Sequence, residues 1–380
     1  MIDDEDEVLL ELAKSLGDFL PYIGGKANVI NIIKPLESLW TVEEGAVREE
    51  AAKSINKILC NIKVKDFEED LIGVFTKLIK GDWFTSKVSA TMILHSIYPN
   101  VSSQGQKQLF KLFAPLWSDS VVQVRKAAAI ALNNLIKFIP SAPEAELLEI
   151  FQTFQKDSQD MVKMQGVDSW INFATVLSSS KIQTYILPYL KTYAEDKSWR
   201  LRYLVANKII DLAKAFGEDI TQSKLVPHYC NFLSDPESEV RTAAASQLNE
   251  FAPLLSKEVI ASKIIPTFKK LSEDSFVYVR IALAENLLSV CPIIGKSETN
   301  ESIIPVFLQL LRDDNSEVRL SVFKKLASLN DVIGIDSLSQ SILPAISELA
   351  NDKSWRTRIA VIEMFPLLAK QLVRFHFTNI

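Results

Sequence analysis

Residues 223–255 read SKLVPHYCNFLSDPESEVRTAAASQLNEFAPLL. Leu225, Tyr229 and Phe232–Leu233 fall on one helical stripe, and Val240, Ala244, Leu248, Phe251–Ala252 and Leu255 on a second. Apolar residues recurring about every 3.6 positions mark two amphipathic helices. Between them SDPES is a turn and helix-start signal, because Ser and Asp oxygens accept from the free amides of a first turn and Pro suits that turn. Small pairs such as Ala51–Ala52, Ala127–Ala128 and Ala243–Ala244 open the second helix, where close helix contact needs short side chains.

The same unit recurs. DSVVQVR holds Asp119 and Arg125; DSQDMVK holds Asp157 and Lys163; DKSWRLR holds Asp196 and Arg202. DPESEVR holds Asp235 and Arg241, DSFVYVR holds Asp274 and Arg280, DDNSEVR holds Asp313 and Arg319, and DKSWRTR holds Asp352 and Arg358. After a step of 38 from Asp119 to Asp157, every step is 39 residues, and each basic residue lies six after its Asp. Pro188, Pro227, Pro266, Pro305 and Pro344 keep the same 39-residue period. Arg48 and Lys87 extend the basic series upstream, with Val42 and Gly81 at the places where Asp is expected. Two markers in phase define a repeat array.

The implied fold is all-α: an α-solenoid, a superhelical array of antiparallel helix pairs. The expected organisation is one array over residues 1–372, with a half repeat at 1–25 and nine hairpins starting near 26, 63, 102, 141, 181, 218, 256, 296 and 335. Residues 373–380, VRFHFTNI, diverge as a C-terminal tail. The recurrent Pro removes an amide donor inside the first helix and should bend it. Each Asp and its basic partner lie at the hairpin turn, at one level in every repeat. They form either a neighbour-to-neighbour ladder or two unrelated solvated charges; a ladder would fix register more than it adds stability.

Composition narrows the function. Hydrophobic residues make up 48%, Gly is scarce at 11, and net charge is −5. That charge gives no basic footprint for nucleic acid. No run of 18 apolar residues marks a membrane span. Cys60, Cys230 and Cys291 are far apart and odd in number, which suits a reducing compartment. The three histidines, His95, His228 and His376, have no acidic or Cys neighbour at metal-ligand spacing, so no metal or cofactor is expected. Gly295–Lys296–Ser297 resembles the end of a phosphate loop, but the first Gly of that motif would fall on Val290, and the segment reads as a linker. No nucleophile or acid–base constellation stands out, and the chain reads as non-enzymatic.

Aromatic residues at turns are the candidates for partner contact: Trp83–Phe84 in KGDWFTSK, Trp199–Arg200 in DKSWRLR and Trp355–Arg356 in DKSWRTR. Trp and Arg anchor protein interfaces more than other residues. The alternative is that each Trp packs over the neighbouring turn. Trp40, Trp117 and Trp170 fall on helical stripes and read as core. Arg125 reads as ladder, with Lys126 facing outward.

At these residues the chain resembles the scaffold-subunit family of protein phosphatase 2A, a HEAT-repeat family. The resemblance is carried by EDEVLLELAKSLG (5–17), PLESLWTVEEGAVRE (35–49), GDWFTSK (81–87), YPNVSS (98–103), AEDKSWRLRYLVANK (194–208), EVRLSV (317–322) and DKSWR (352–356), and runs over roughly residues 3–372. It implies a non-catalytic scaffold joining two partners: an exchangeable regulatory (B-type) subunit on the turns of N-terminal repeats, and a catalytic serine/threonine phosphatase subunit on the last repeats. By match, Trp83, Arg125, Lys126, Trp199 and Arg200 fall on the regulatory side, and Trp355–Arg356 at the start of the catalytic side. The chain departs from that pattern. It matches from halfway through the family's second repeat to the eleventh, Lys163 replaces the usual Arg, and most of the catalytic-subunit surface is missing. A partial chain and a natural short form competing with full-length scaffold both fit, and catalytic-subunit binding is expected to be weak or absent if the chain is truly short. The competing interaction reading is a HEAT-repeat adaptor carrying transport cargo. The expected compartment is the cytoplasm, with the nucleus left open.

Overall fold

A computed structural model gives the architecture; it describes residues 4–24, 28–62, 67–138, 144–326, 329, 342–363 and 365–366. Every element among these residues is helical, as the repeat pattern requires.

In residues 223–255 the turn forms as its composition dictates. The Asp235 carboxylate accepts the backbone N–H of Glu237 at 2.9 Å, an Asx turn that starts the helix Ser238–Ser246. The first helix, Val226–Phe232, returns against it. Tyr229 donates its hydroxyl to the Ala244 carbonyl at 2.9 Å and lays its ring 4.3 Å from that of Phe251. Val240, Ala244, Leu248 and Phe251 are fully buried. Truncating such a Leu to Ala destabilises by about 2–5 kcal/mol.

Two compact units are present, Met1–Ile186 and Leu187–Ile380. In the N-terminal unit the second helices stack in chain order: Asp6–Asp18, Gly45–Leu59, Phe84–Ile97, Val122–Leu135 and Gln165–Ala174. The first helices Glu68–Lys80 and Ser103–Phe113 form a parallel row. The helices Asp6–Asp18 and Gly45–Leu59 approach closely. Ser54 donates its hydroxyl to the Ala13 carbonyl at 2.6 Å, and a Cβ on Gly17 would meet Ser54 Oγ at 2.6 Å, so only Gly fits there. In the C-terminal unit Trp199–Asn207, Ser238–Ser246, Val277–Asn286 and Ser316–Phe323 make the second-helix row. The small pairs serve this packing: Ala51, Ala128 and Ala244 are fully buried.

The recurrent prolines do more than bend their helices. A single π-turn precedes each of four of them, at Ile182–Ile186, Thr221–Leu225, Ile260–Ile264 and Thr299–Ile303. Pro has no N–H for the carbonyl four residues back, and its ring crowds that carbonyl. The helix answers by widening. The amides of Val226, Ile265 and Ile304 reach five residues back, to the carbonyls of Thr221, Ile260 and Thr299.

Gly295 has φ +89° and ends the helix Cys291–Ile294, so the Gly-Lys-Ser segment is an inter-helix turn. The stretch Val277–Ile294 is long and apolar enough by composition to cross a membrane, with mean hydropathy 1.6. It is nonetheless the second-helix arm of a hairpin, and its Arg280 is bonded to the next turn. The divergent tail 373–380 and the hairpin starts expected near 26, 63, 141 and 335 lie outside the described residues.

Candidate functional site: the rows of turns

The turns are built by one repeated arrangement. Each Asp caps its own turn by accepting the N–H two residues on: Asp119 from Val121, Asp157 from Gln159, Asp196 from Ser198, Asp274 from Phe276, Asp313 from Asn315 and Asp352 from Ser354, at 2.7–3.0 Å. The Arg six residues on turns back and donates Nη1 to the backbone carbonyl of that Asp. Its remaining edge, Nε and Nη2, grips the carboxylate of the next turn.

In the N-terminal unit Arg125 grips Asp157 at 2.6 and 3.1 Å while bonding the Asp119 carbonyl at 2.9 Å. One rung earlier Lys87 makes a single bond to Asp119 at 2.8 Å. In the C-terminal unit Arg202 grips Asp235 at 2.7 and 2.8 Å, Arg241 grips Asp274 at 2.7 and 3.0 Å, and Arg280 grips Asp313 at 2.6 and 3.0 Å. Arg319 reaches Asp352 through Nη2 alone, at 2.8 Å, and its Nε is buried without a partner. Lys163 lies 3.6 Å from Asp160 in its own turn, and Arg358 bonds the Asp352 and Lys353 carbonyls of its own turn. The Arg–Asp rungs are thus fork-on-fork pairs, nearly closed to solvent. Burial by itself would push the Asp119 and Asp157 carboxyls up. The hydrogen bonds from Lys87 and Arg125 and from the capping N–H groups overcome this, and both lie below the ordinary carboxylate value.

With the turns held this way, specific side chains stand out from the row. Trp83 is 74% exposed and Phe84 41%. Trp199 is half-buried against Tyr203, with the Arg200 guanidinium 4.8 Å over its ring; Trp355 is 60% exposed under Arg356 at 5.5 Å. Both are cation–π stacks. Arg356 also donates to Glu317 at 3.4 Å; the two occupy the same place on neighbouring turns. Lys126 is half-buried beside Arg125, less outward than its sequence suggested. Sequence reasoning passed over Phe276 and Tyr278 in DSFVYVR, which are 54% and 75% exposed. Their positions, two and four after the ladder Asp, are the signal that would have found them. Trp40 and Trp170 are core, whereas Trp117 is half-buried and meets the Phe113 ring edge-on at 5.6 Å. His95 and His228 lie half-buried within helices, where burial pulls both imidazoles below their ordinary value.

Residues 303–333 match the HEAT repeat profile, residues 218–295 the PPP2R1A-like HEAT repeat profile, and residues 142–254 that of the PIK3R4-like middle domain. Importin beta is structurally similar with TM-score 0.63 at 11% identity, covering 96% of this chain and 52% of that one. Kap95 from a Kap95:Nup1 complex is similar with TM-score 0.67 at 13% identity, covering 98% and 51%. At such identity these likenesses speak for the fold alone. Fold and turn rows together define the class: this is a HEAT-repeat α-solenoid protein.

Within that class its sequence relatives are narrower. The chain is 40% identical over 188 residues to the probable serine/threonine-protein phosphatase PP2A regulatory subunit of Caenorhabditis elegans, covering 49% of this chain and 32% of that protein. It is 40% identical over 138 residues to the PP2A 65 kDa regulatory subunit of Drosophila melanogaster, covering 36% and 23%. To the protein phosphatase 2A scaffold subunit of Dictyostelium discoideum it is 39% identical over 152 residues, covering 40% and 26%. The matched stretches span about a third or less of those relatives. They bear out the resemblance read from the sequence, which is to the scaffold, or 65 kDa regulatory, subunit of protein phosphatase 2A.

Proposed function

We propose that this chain is a non-catalytic scaffold for a phosphatase of the 2A type, holding other subunits on its rows of turns. The observation that carries the proposal is that nearly buried rungs tie Arg202 of the Trp199 turn to Asp235 and Asp352 of the Trp355 turn to Arg319, while Trp–Arg stacks at Trp199 and Trp355 stand on the outside of those turns. A turn held rigid before binding loses little entropy on docking, and stacked Trp–Arg pairs supply anchor surface. The kinship to phosphatase 2A scaffold subunits supports the choice of partner.

In this reading Trp83, Phe84, Lys126, Trp199 and Arg200 contact a B-type regulatory subunit, and Trp355 and Arg356 a catalytic subunit. The transport-adaptor alternative rests on fold likeness only. A cytosolic setting fits three cysteines that are all free thiols.

The test is binding of the purified chain to a purified B-type regulatory subunit and, separately, to a catalytic subunit, with Trp199→Ala/Arg200→Ala and Trp355→Ala/Arg356→Ala variants. Each double variant is expected to weaken its own partner by about tenfold or more, as loss of an anchor does. Failure of the unaltered chain to bind either subunit at micromolar concentration would refute the proposal.

A further inference from the structure

The helix that opens at Trp355 repeats the second helices before it, but one of its stripes is bare. Arg358, Ile362 and Phe365 lie at i, i+4 and i+7 and so share one face. In the preceding repeats the same three places read Arg202, Ala206 and Ile209; Arg241, Ala245 and Leu248; Arg280, Ala284 and Leu287; Arg319, Phe323 and Leu326. There the Arg reaches the next turn's Asp, and the two apolar residues after it are at most 2% exposed. This stripe is therefore the half of the stacking interface that faces a following repeat. Ile362 is 65% exposed and Phe365 53%. Arg358 holds the ladder posture, with Nη1 on the Asp352 and Lys353 carbonyls at 2.6 and 3.1 Å, yet its Nε–Nη2 edge grips no carboxylate among the described residues.

The helix Asp6–Asp18 shows the opposite half. Val8, Leu12, Ser15 and Phe19 lie at i, i+4, i+7 and i+11. Their counterparts 39 residues on, Val47, Ala51, Ser54 and Ile58, are buried, and Ser54 bonds the Ala13 carbonyl of the preceding helix. That bond marks the stripe as the half that faces a preceding repeat. Here Val8, Ser15 and Phe19 are exposed, and the Phe19 ring lies 5.8 Å from that of exposed Tyr22. Charge is matched as well. Asp4, Glu5, Asp6 and Glu7 are exposed where this helix starts, and the ladder's carboxylate place, 39 before Val42, falls on Asp3 in the sequence. Against them the Trp355 turn offers Arg358 and Lys353, both exposed.

We propose that copies of this chain stack head to tail: the face of Arg358, Ile362 and Phe365 on one copy receives the helix Asp6–Asp18 of a second, and Arg358 closes a rung on the acidic start of that helix. The occupant is a second copy because the two faces are the two halves of an interface that the chain already makes between its own repeats, and because their charges are opposite. A contact between two different faces is heterologous, so it continues into linear chains unless the rotation closes a ring. It leaves the aromatic side chains of the turns free and is separate from subunit binding there.

The experiment is sedimentation of the purified full chain over a range of concentrations, unaltered and as the variants Arg358→Glu, Ile362→Glu and Asp3→Lys/Asp4→Lys. Arg358 and Ile362 are exposed, so their substitution spares the fold. The unaltered chain is expected to gain mass as concentration rises. Each variant alone should need at least about tenfold more protein to associate, because like charges then meet at the joint or a lone charge is buried in it. Mixing Arg358→Glu with Asp3→Lys/Asp4→Lys should restore association, since every joint between the two then pairs opposite charges. A chain that stays monomeric up to about 100 μM overturns the proposal. So does association that the charge variants leave unchanged, or that their mixture fails to restore, because two like faces would then be in contact.

Discussion

Replacing Asp235 by Ala tests how the repeats hold one another. Asp235 accepts two bonds from Arg202, at 2.7 and 2.8 Å, and the Glu237 amide at 2.9 Å, with side-chain exposures of 7% for Asp235 and 12% for Arg202. Deleting one partner of a buried pair costs about 3–5 kcal/mol, because the other charge is left uncompensated. Arg202 would keep the Asp196 carbonyl at 2.7 Å and a longer bond to Lys197 at 3.3 Å, which places the loss near the lower end. Removing the bond that Asp235 accepts from the Glu237 amide adds about 1 kcal/mol. The expected total is about 4 kcal/mol, localised to the two helices that the rung joins. A paired Arg202→Met/Asp235→Leu replacement should recover most of it, since apolar substitutes for buried ion pairs are often neutral or stabilising by about 1–4 kcal/mol. Hydrogen exchange by mass spectrometry resolves Trp199–Asn207 and Ser238–Ser246 separately from the rest. A loss of protection below about 0.5 kcal/mol, or one spread evenly over all repeats, would refute the reasoning.

Further outcomes follow from the same structure. The Asp119 and Asp157 carboxyls lie below their ordinary value of 3.8, so their stabilisation is fully present above that pH and is lost as pH falls through the folded value. The stability deficit of Asp157→Asn at neutral pH should therefore shrink on acidification, and a deficit that stays constant down to about pH 2 in acid titrations followed by circular dichroism contradicts this. Pro266→Ala supplies an amide for the Ser262 carbonyl, so the π-turn Ile260–Ile264 should close to regular α-helix. A crystal structure of that variant retaining the Ile265-to-Ile260 bond would show that Pro is not its cause. Cys291 is buried with its thiol pushed up to about 11, whereas Cys60 is exposed. Iodoacetamide on the native chain should label Cys60 and spare Cys291, read by peptide mass; early labelling of Cys291 argues against its burial.

The repeat was legible because its markers face constraints that every copy shares. Asp must cap a turn and meet the preceding Arg, so its spacing to both is fixed, and apolar stripes must close against both neighbours. The π-turns were not legible. A proline in a helix announces a lost bond, but whether the chain kinks or widens depends on how the turn before it packs. The polar seam of the N-terminal unit was also missed. Asn133 donates to the Gln165 carbonyl at 3.0 Å and accepts from Ser169, and Trp170 donates to Gln155 at 3.1 Å. Asn133, Gln155 and Ser169 look solvated in sequence because their partners lie 15 to 36 positions away. At the turns, Trp83 and Trp355 stood out by residue type, whereas Phe276 and Tyr278 resembled another apolar stripe until the turn placed them outside it.

Because Arg202, Arg241, Arg280 and Arg319 each serve their own turn and one neighbour, the rungs of the C-terminal unit are interchangeable. Excising residues 236–274, one period of 39, would join Asp235 to Ser275 and give the turn DSFVYVR. Arg202 would still meet Asp235, and Arg280 would still meet Asp313. Gene segments cut on this phase keep the Arg–Asp rung whole across the new joint, so the count of such pieces is less constrained than the rung that joins them.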